Sequence, residues 1–146
     1  MNQTNTINNA DLANLLLIVS LGSILLAHGA LKLFVFGIEG TVGYFSSLGL
    51  PAIVAYLTIF GEVFGGIALI LGIYSRLTAL LSLPILIGAS WAHSANGWVF
   101  SNAGGGWEFP VLLAVLALVV AIQGTGRFGI KKLPIIDSFI PNPLKA

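Results

Sequence analysis

The sequence contains no cysteine. That excludes a dithiol redox relay, an iron–sulfur cluster held by thiolates, and disulfide support for exposed loops. Charge is almost as scarce: six Lys or Arg and five Asp or Glu amount to 8% of 146 residues. A water-soluble domain carries about a quarter of its residues as charges, so water is not the solvent for most of this exterior. The net charge is +1 and no extended basic patch exists, which argues against nucleic acid as a partner. Residues 1–14 hold no Lys or Arg but do hold Asp11, the reverse of the basic leader of a secretory signal peptide. The apolar run that follows therefore reads as a retained helix. The glycine-rich stretch 101–108 has no Gly-Lys-Ser/Thr ending and no strand pattern ahead of it, so it is not a phosphate-binding loop.

What the chain does have is hydrophobic length: 57% of its residues are hydrophobic and the mean hydropathy is +1.00. A hydrocarbon core about 30 Å thick needs roughly 20 apolar helical residues. Four segments qualify, at 12–36, 51–74, 77–95 and 109–126, followed by a tail at 127–146. The expected fold is all-α, a single four-helix transmembrane bundle solvated by the lipid bilayer. Pro51 and Pro110 suit first helical turns, where a missing N–H costs little, whereas Pro84 inside the third span is expected to kink it. Four spans put both termini on one side. That side carries Arg76, Arg127, Lys131, Lys132 and Lys145, against Lys32 alone on the other. The positive-inside rule places both termini in the cytoplasm, in a cytoplasmic (inner) membrane. Tyr44, Phe45, Trp98, Phe100 and Trp107 then fall in the two outer loops. The tail mixes Lys131 and Lys132 with apolar residues and reads as an interfacial segment on anionic headgroups, or as a docking site.

Ionisable residues inside the spans are costly and need a reason. Glu62 lies about 11 residues, roughly 16 Å, below the outer boundary of the second span, so it must face the bundle interior. Gly65 and Gly66, three and four residues on, make that face small enough for a neighbouring helix or a ligand. A structural hydrogen-bonding role for Glu62 stands beside a functional one as proton donor or ligand contact. His28 and Lys32 share a face of the first helix at i, i+4 spacing; Lys32 is also placed to snorkel outward. His93, with Trp91 nearby, ends the third span, and Glu108 begins the fourth after Trp107. His28, Lys32, Glu62, His93 and Glu108 thus come from all four helices and all fall in the outer half. The inner half holds no ionisable residue before Arg76. This asymmetry predicts a polar pocket in the outer half of the bundle, with Lys32 pairing Glu62 or Glu108. Two histidines are weak grounds for a haem, and a metal site from His28, His93 and a carboxylate is equally weak; neither is expected.

An ordered set of short motifs adds a resemblance. It comprises His28-Gly29-x-x-Lys32, Phe45-x-x-Leu48-Gly49-Leu50-Pro51, Glu62-x-x-Gly65-Gly66-x-x-Leu69-x-x-Gly72, Arg76, and Gly104-Gly105-Gly106-Trp107-Glu108. From about Leu16 to Phe128 the chain resembles the DoxX family of small bacterial membrane proteins. It departs at Ile18, Val19 and Ser20, where many relatives have an arginine, and at Gly129, Ile130 and Lys131, which replace a usual Ser-Leu-Asp. The resemblance implies a four-helix bundle. For some members it also implies quinone-dependent oxidation of thiosulfate, or membrane complexes with redox partners that protect against oxidative stress.

The leading expectation is a quinone-interacting subunit of a membrane oxidoreductase. Glu62, His28 and Lys32 are the candidate catalytic residues: Glu62 to deliver protons, a histidine to hydrogen-bond a quinone carbonyl, and Lys32 to stabilise developing negative charge. His93, Glu108, Trp91 and Trp107 are the candidate quinone-binding residues. The chain has no evident electron carrier, so a redox partner subunit, or direct transfer from a bound donor, is required. The alternatives are a non-catalytic scaffold for such a partner, and a small-solute transporter, which four helices would need a homo-oligomer to build.

Overall fold

The computed structural model describes residues 7–130 and 133–145, and among them every regular element is helical. Five α-helices occur: α1 (Asn9–Ala30), α2 (Gly37–Ser47), α3 (Ala52–Ile70), α4 (Ser75–Ala92) and α5 (Glu108–Gln123). Helix α1 opens with a capping box. The Asn8 side chain accepts from the Asp11 N–H at 2.9 Å, and the Asp11 carboxylate accepts from the Asn8 N–H at 3.2 Å. The Asp11 charge noted in the sequence is therefore a helix start, where it meets two otherwise orphaned donors and the positive end of the helix dipole.

With its continuation to Val35, α1 runs 27 residues, and it joins α3 and α4 as the three helices long and apolar enough to cross a membrane. Helix α5 is a shorter apolar helix; its 16 residues rise about 24 Å. The four pack in a ring, α1 against α3, α3 against α4, α4 against α5, and α5 back against α1. Apolar side chains also cover the outside: Phe34 is 83% and Ile122 73% exposed. An exterior of this kind requires lipid as solvent.

Helix α1 meets α3 through glycines. A Cβ on Gly66 would stand 2.7 Å from both the Gly22 carbonyl oxygen and the Leu26 nitrogen, and one on Gly22 would stand 2.8 Å from the Gly66 carbonyl oxygen. Such contact between backbones is open only to residues without a side chain. It is the role foreseen for Gly66 and it brings α1 up against the Glu62 face of α3.

Two features depart from the sequence reading. First, residues 37–47 form a helix where a loop was expected. Three glycines in eleven residues lower the intrinsic helix propensity, but α2 packs on α3 and on the end of the first span, and packing overrides propensity. Gly37 (φ 72°) turns the chain into α2, and Gly49 (φ 79°) follows its end. Second, α1 ends in a π-helical turn, Leu31–Val35. There the Phe36 N–H donates to the Leu31 carbonyl, five residues back, at 3.0 Å. Helix α4 runs through Pro84 as one helical element.

The start of α1, the α3–α4 turn and the tail gather at one end of the bundle. Gly126 lies beside Asp11 and Asn14, and Gly129 beside Gly72. The described part of the tail is tied down there. Tyr74 donates its hydroxyl hydrogen to Asp137 (3.1 Å) and accepts from the Leu133 N–H (3.0 Å). Arg76 donates to the Pro143 carbonyl, and Lys145 pairs with Asp137 at 3.0 Å. The interfacial role expected of Lys131 and Lys132 lies outside the described residues.

Candidate functional site

At the opposite end of the bundle the Lys32 ammonium lies 2.8 Å from Glu62 Oε1. Glu62 is only 6% exposed, and its second oxygen, Oε2, is buried without a hydrogen-bond partner. The π-turn carries Lys32, and its backbone carbonyl accepts a hydrogen bond from the buried Thr41 hydroxyl of α2 at 3.2 Å. The wide turn perturbs the regular i→i−4 ladder, and the hydroxyl gives the Lys32 carbonyl a partner there. Thr41 thus holds the backbone that aims Lys32 at Glu62. Nothing in the local sequence marks it, because its partner comes from a turn that hydrophobic periodicity does not reveal.

The pair stands at the polar end of a cavity of about 640 Å³. His28, Lys32, Glu62 and His93 line it together with Ile24, Leu25, Ile85, Leu86, Phe109 and Leu113. This size and this mixture, a mostly apolar wall with a few converging polar groups, suit a small organic ligand. The rings of His28 and Phe109 stack at 6.4 Å with 29° between planes. Phe100 and Phe109 belong to the wall and are exposed, so the cavity reaches the molecular surface at those rings.

Both histidines are oriented by backbone carbonyls. His28 Nδ1 lies 2.8 Å from the Ile24 carbonyl, and His93 Nδ1 lies 3.0 and 3.1 Å from those of Gly104 and Gly105. A carbonyl only accepts, so Nδ1 carries the hydrogen in each ring. Nε2 is then the nitrogen available to a ligand: an acceptor in the neutral ring, a donor in the protonated one.

Four of the seven residues singled out in the sequence therefore meet in one cavity, and three stand apart from its wall. Glu108 accepts from the Phe100 N–H at 2.8 Å and so fastens the loop before α5. Trp107 packs edge-on against Trp98, with ring centroids 4.4 Å apart, and its backbone N–H donates to the Gly97 carbonyl. Trp91 is exposed. The loop itself is well tied: Asn96 donates to the Gly104 and Gly105 carbonyls, and Asn102 donates to the Asn96 carbonyl. Gly105 and Gly106 form part of the cavity wall, so the glycine-rich segment covers the cavity as well as returning the chain to the bundle. Among the described residues, no three His, Cys, Asp or Glu side chains are grouped to hold a metal ion.

Residues 13–95 match the DoxX family. The chain belongs to the DoxX family. The match takes in α1 through α4, and with them His28, Lys32, Glu62 and His93, while the loop and α5 lie beyond it. This DoxX protein is also similar to a Bacillus subtilis (strain 168) protein named "Putative oxidoreductase CatD", at 33% identity over 115 residues. That alignment covers 79% of this chain and 81% of the relative. No solved structure matches the chain.

Proposed function

We propose that this DoxX protein is a quinone-interacting subunit of a membrane oxidoreductase, set in a cytoplasmic membrane with both termini in the cytoplasm. The observation that carries the reading is the Glu62 carboxylate. One of its oxygens is held by Lys32 and the other is buried without a partner, at the polar end of a mostly apolar cavity. Reduction of a quinone takes two electrons and two protons, so its site needs an apolar slot and protonatable groups at the carbonyl end. The wall of Ile24, Leu25, Leu86, Leu113 and Phe109 suits the ring, and Glu62 supplies the proton-transferring group. Lys32 stabilises negative charge that develops on the ring oxygen. The Nε2 atoms of His28 and His93 accept from a quinol hydroxyl when neutral and donate to a quinone carbonyl when protonated. The electrons come from a redox centre of a partner subunit. The "oxidoreductase" in the relative's name supports the same class of chemistry. For orientation, the tail end bears Arg76, Arg127 and Lys145, and the site end bears Lys32; the positive-inside rule turns the tail end to the cytoplasm.

Quinone content after purification in mild detergent tests the reading. Near-stoichiometric quinone is expected in the wild type, with at least a tenfold loss in Glu62→Gln and in His28→Ala. Wild-type protein with no quinone above the lipid background, in a folded preparation, would refute it. The bet would then move to a scaffold that anchors a redox partner through the tail end.

A further inference from the structure

The Lys32–Glu62 pair borders two cavities. A second one, of about 140 Å³, shares Lys32, Glu62, Ile85, Ala89 and His93 with the first, but the rest of its wall is made by other residues. Helix α2 contributes Tyr44 and Phe45, and Gly88 comes from α4. Val54 and Thr58 of α3 complete a row with Glu62, spaced at four residues. Glu62 is the only α3 residue in the wall of the large cavity. Its carboxyl therefore faces the ligand cavity on one side and this smaller space on the other.

The small cavity has what water needs, namely room for several molecules and polar partners to hold them. The polar residues on its wall are Thr58, Tyr44, His93, Lys32 and Glu62. Glu62 Oε2 lacks a protein partner, and a buried acceptor left dry is costly. The row Glu62, Thr58, Val54 climbs α3 by about 6 Å per step towards its N-terminal end, where Leu48 and Leu50 line the space beside the exposed Tyr44.

We propose that the smaller cavity is a hydrated proton passage serving Glu62, so that protons and the quinone reach the carboxyl from opposite sides. Its purpose rests on the quinone reading, but its existence does not. When Glu62 gives its proton to a quinone oxygen, passage water returns one to Glu62 and is itself replenished from the aqueous face at the site end. The two electrons arrive separately, from the reduced redox centre of the partner subunit. The titratable groups facing Glu62 are His28 of α1, Lys32 of the π-turn and His93 just after α4, with Tyr44 of α2 further along the passage; α5 brings none to either cavity wall.

The test follows the infrared carbonyl band of the Glu62 carboxylic acid after a rapid drop in pH, in quinone-free liposomes; the band is assigned by its loss in Glu62→Gln. Thr58→Leu fills the passage from the α3 row between Val54 and Glu62 and removes its hydroxyl. It is expected to slow growth of the band at least tenfold while leaving the final amplitude unchanged. Ala92→Leu, on the same wall, is expected to do the same and guards against a folding defect in the first variant. Leu118→Phe, on the exposed face of α5 and in neither cavity wall, is expected to keep the rate within twofold. Equal rates in wild type and both passage variants, equal slowing by Leu118→Phe, or no band in the wild type would each overturn the passage. Quinone content of protein purified without depletion is scored separately. Its absence from the wild type overturns the quinone reading, while the protonation rates still decide the passage.

Discussion

At the scale of the residue, one ion pair dominates. A carboxylate this deep in a membrane bundle is tolerable only when it is paired, hydrated or protonated, and Lys32 supplies the pairing. Removing one partner of a buried pair strands the other, at a cost of about 3–5 kcal/mol, whereas removing both is often close to neutral. The Lys32 side chain is 18% exposed, which moves the expectation to the low end of that range. Lys32→Met should therefore destabilise the folded protein by about 3 kcal/mol in unfolding titrations with a denaturing detergent. The double variant Lys32→Met/Glu62→Gln should recover most of the loss. A double variant no more stable than Lys32→Met would show that the stranded carboxylate is not the source of the cost. Glu62, Lys32, His28 and His93 were all legible in the sequence, because counting residues from a span boundary sets depth. Depth alone does not set the direction in which a side chain points. Glu108, Trp91 and Trp107 have the right depth but turn to the loop or the surface. Thr41 was invisible for the converse reason, since its significance depends on the π-turn it supports.

At the scale of the element, the site is an outcome of how closely α1 approaches α3. The spans were readable because lipid demands about twenty apolar residues in a row, a requirement that leaves a strong trace in composition. Helix α2 left no such trace. It is held by the helix end it covers, so a segment between two spans reads as a loop where packing makes a helix. The approach of α1 to α3 is testable at its tightest point. A methyl group at Gly66 would collide with the backbone of α1 at Gly22 and Leu26, and backbone yields less readily than a side-chain tip. Glycine to alanine inside a helix gains about 1 kcal/mol from propensity, but forcing atoms into a filled contact costs about 1–3 kcal/mol. Gly66→Ala should lower stability on balance, part α1 from α3, and so reduce quinone content by lengthening the Lys32–Glu62 contact. Gly88→Ala, where open space awaits the methyl group, should be neutral or stabilising in the same thermal melt. A Gly66→Ala protein as stable as the Gly88→Ala protein would mean that the contact is looser than it looks.

At the scale of the whole molecule, the two ends do different things. One gathers the protonatable side chains around two cavities, and the other ties the tail across the α3–α4 turn. The anchor of that tie is Tyr74, the non-glycine residue with positive φ (41°), a conformation that costs a bulky side chain energy. Its hydroxyl offsets some of that cost by its hydrogen bonds to Leu133 and Asp137 of the tail. Tyr74→Phe keeps the ring but removes both hydrogen bonds, together worth about 1–3 kcal/mol. Arg76 and the buried Ile140 also hold the tail, and Asp137 keeps its pairing with Lys145 inside it, so the loss should loosen residues 133–145 locally without unfolding the bundle. Amide hydrogen exchange at residues 133–145 should then accelerate by about tenfold, as 1.4 kcal/mol implies, while exchange in α3 and α4 stays unchanged. Quinone content should also stay unchanged, because the cavities lie at the far end. A fall in quinone content on Tyr74→Phe would instead mean that the α3–α4 turn communicates with the site along α3. Tail release would then be a means of controlling the chemistry rather than a local event.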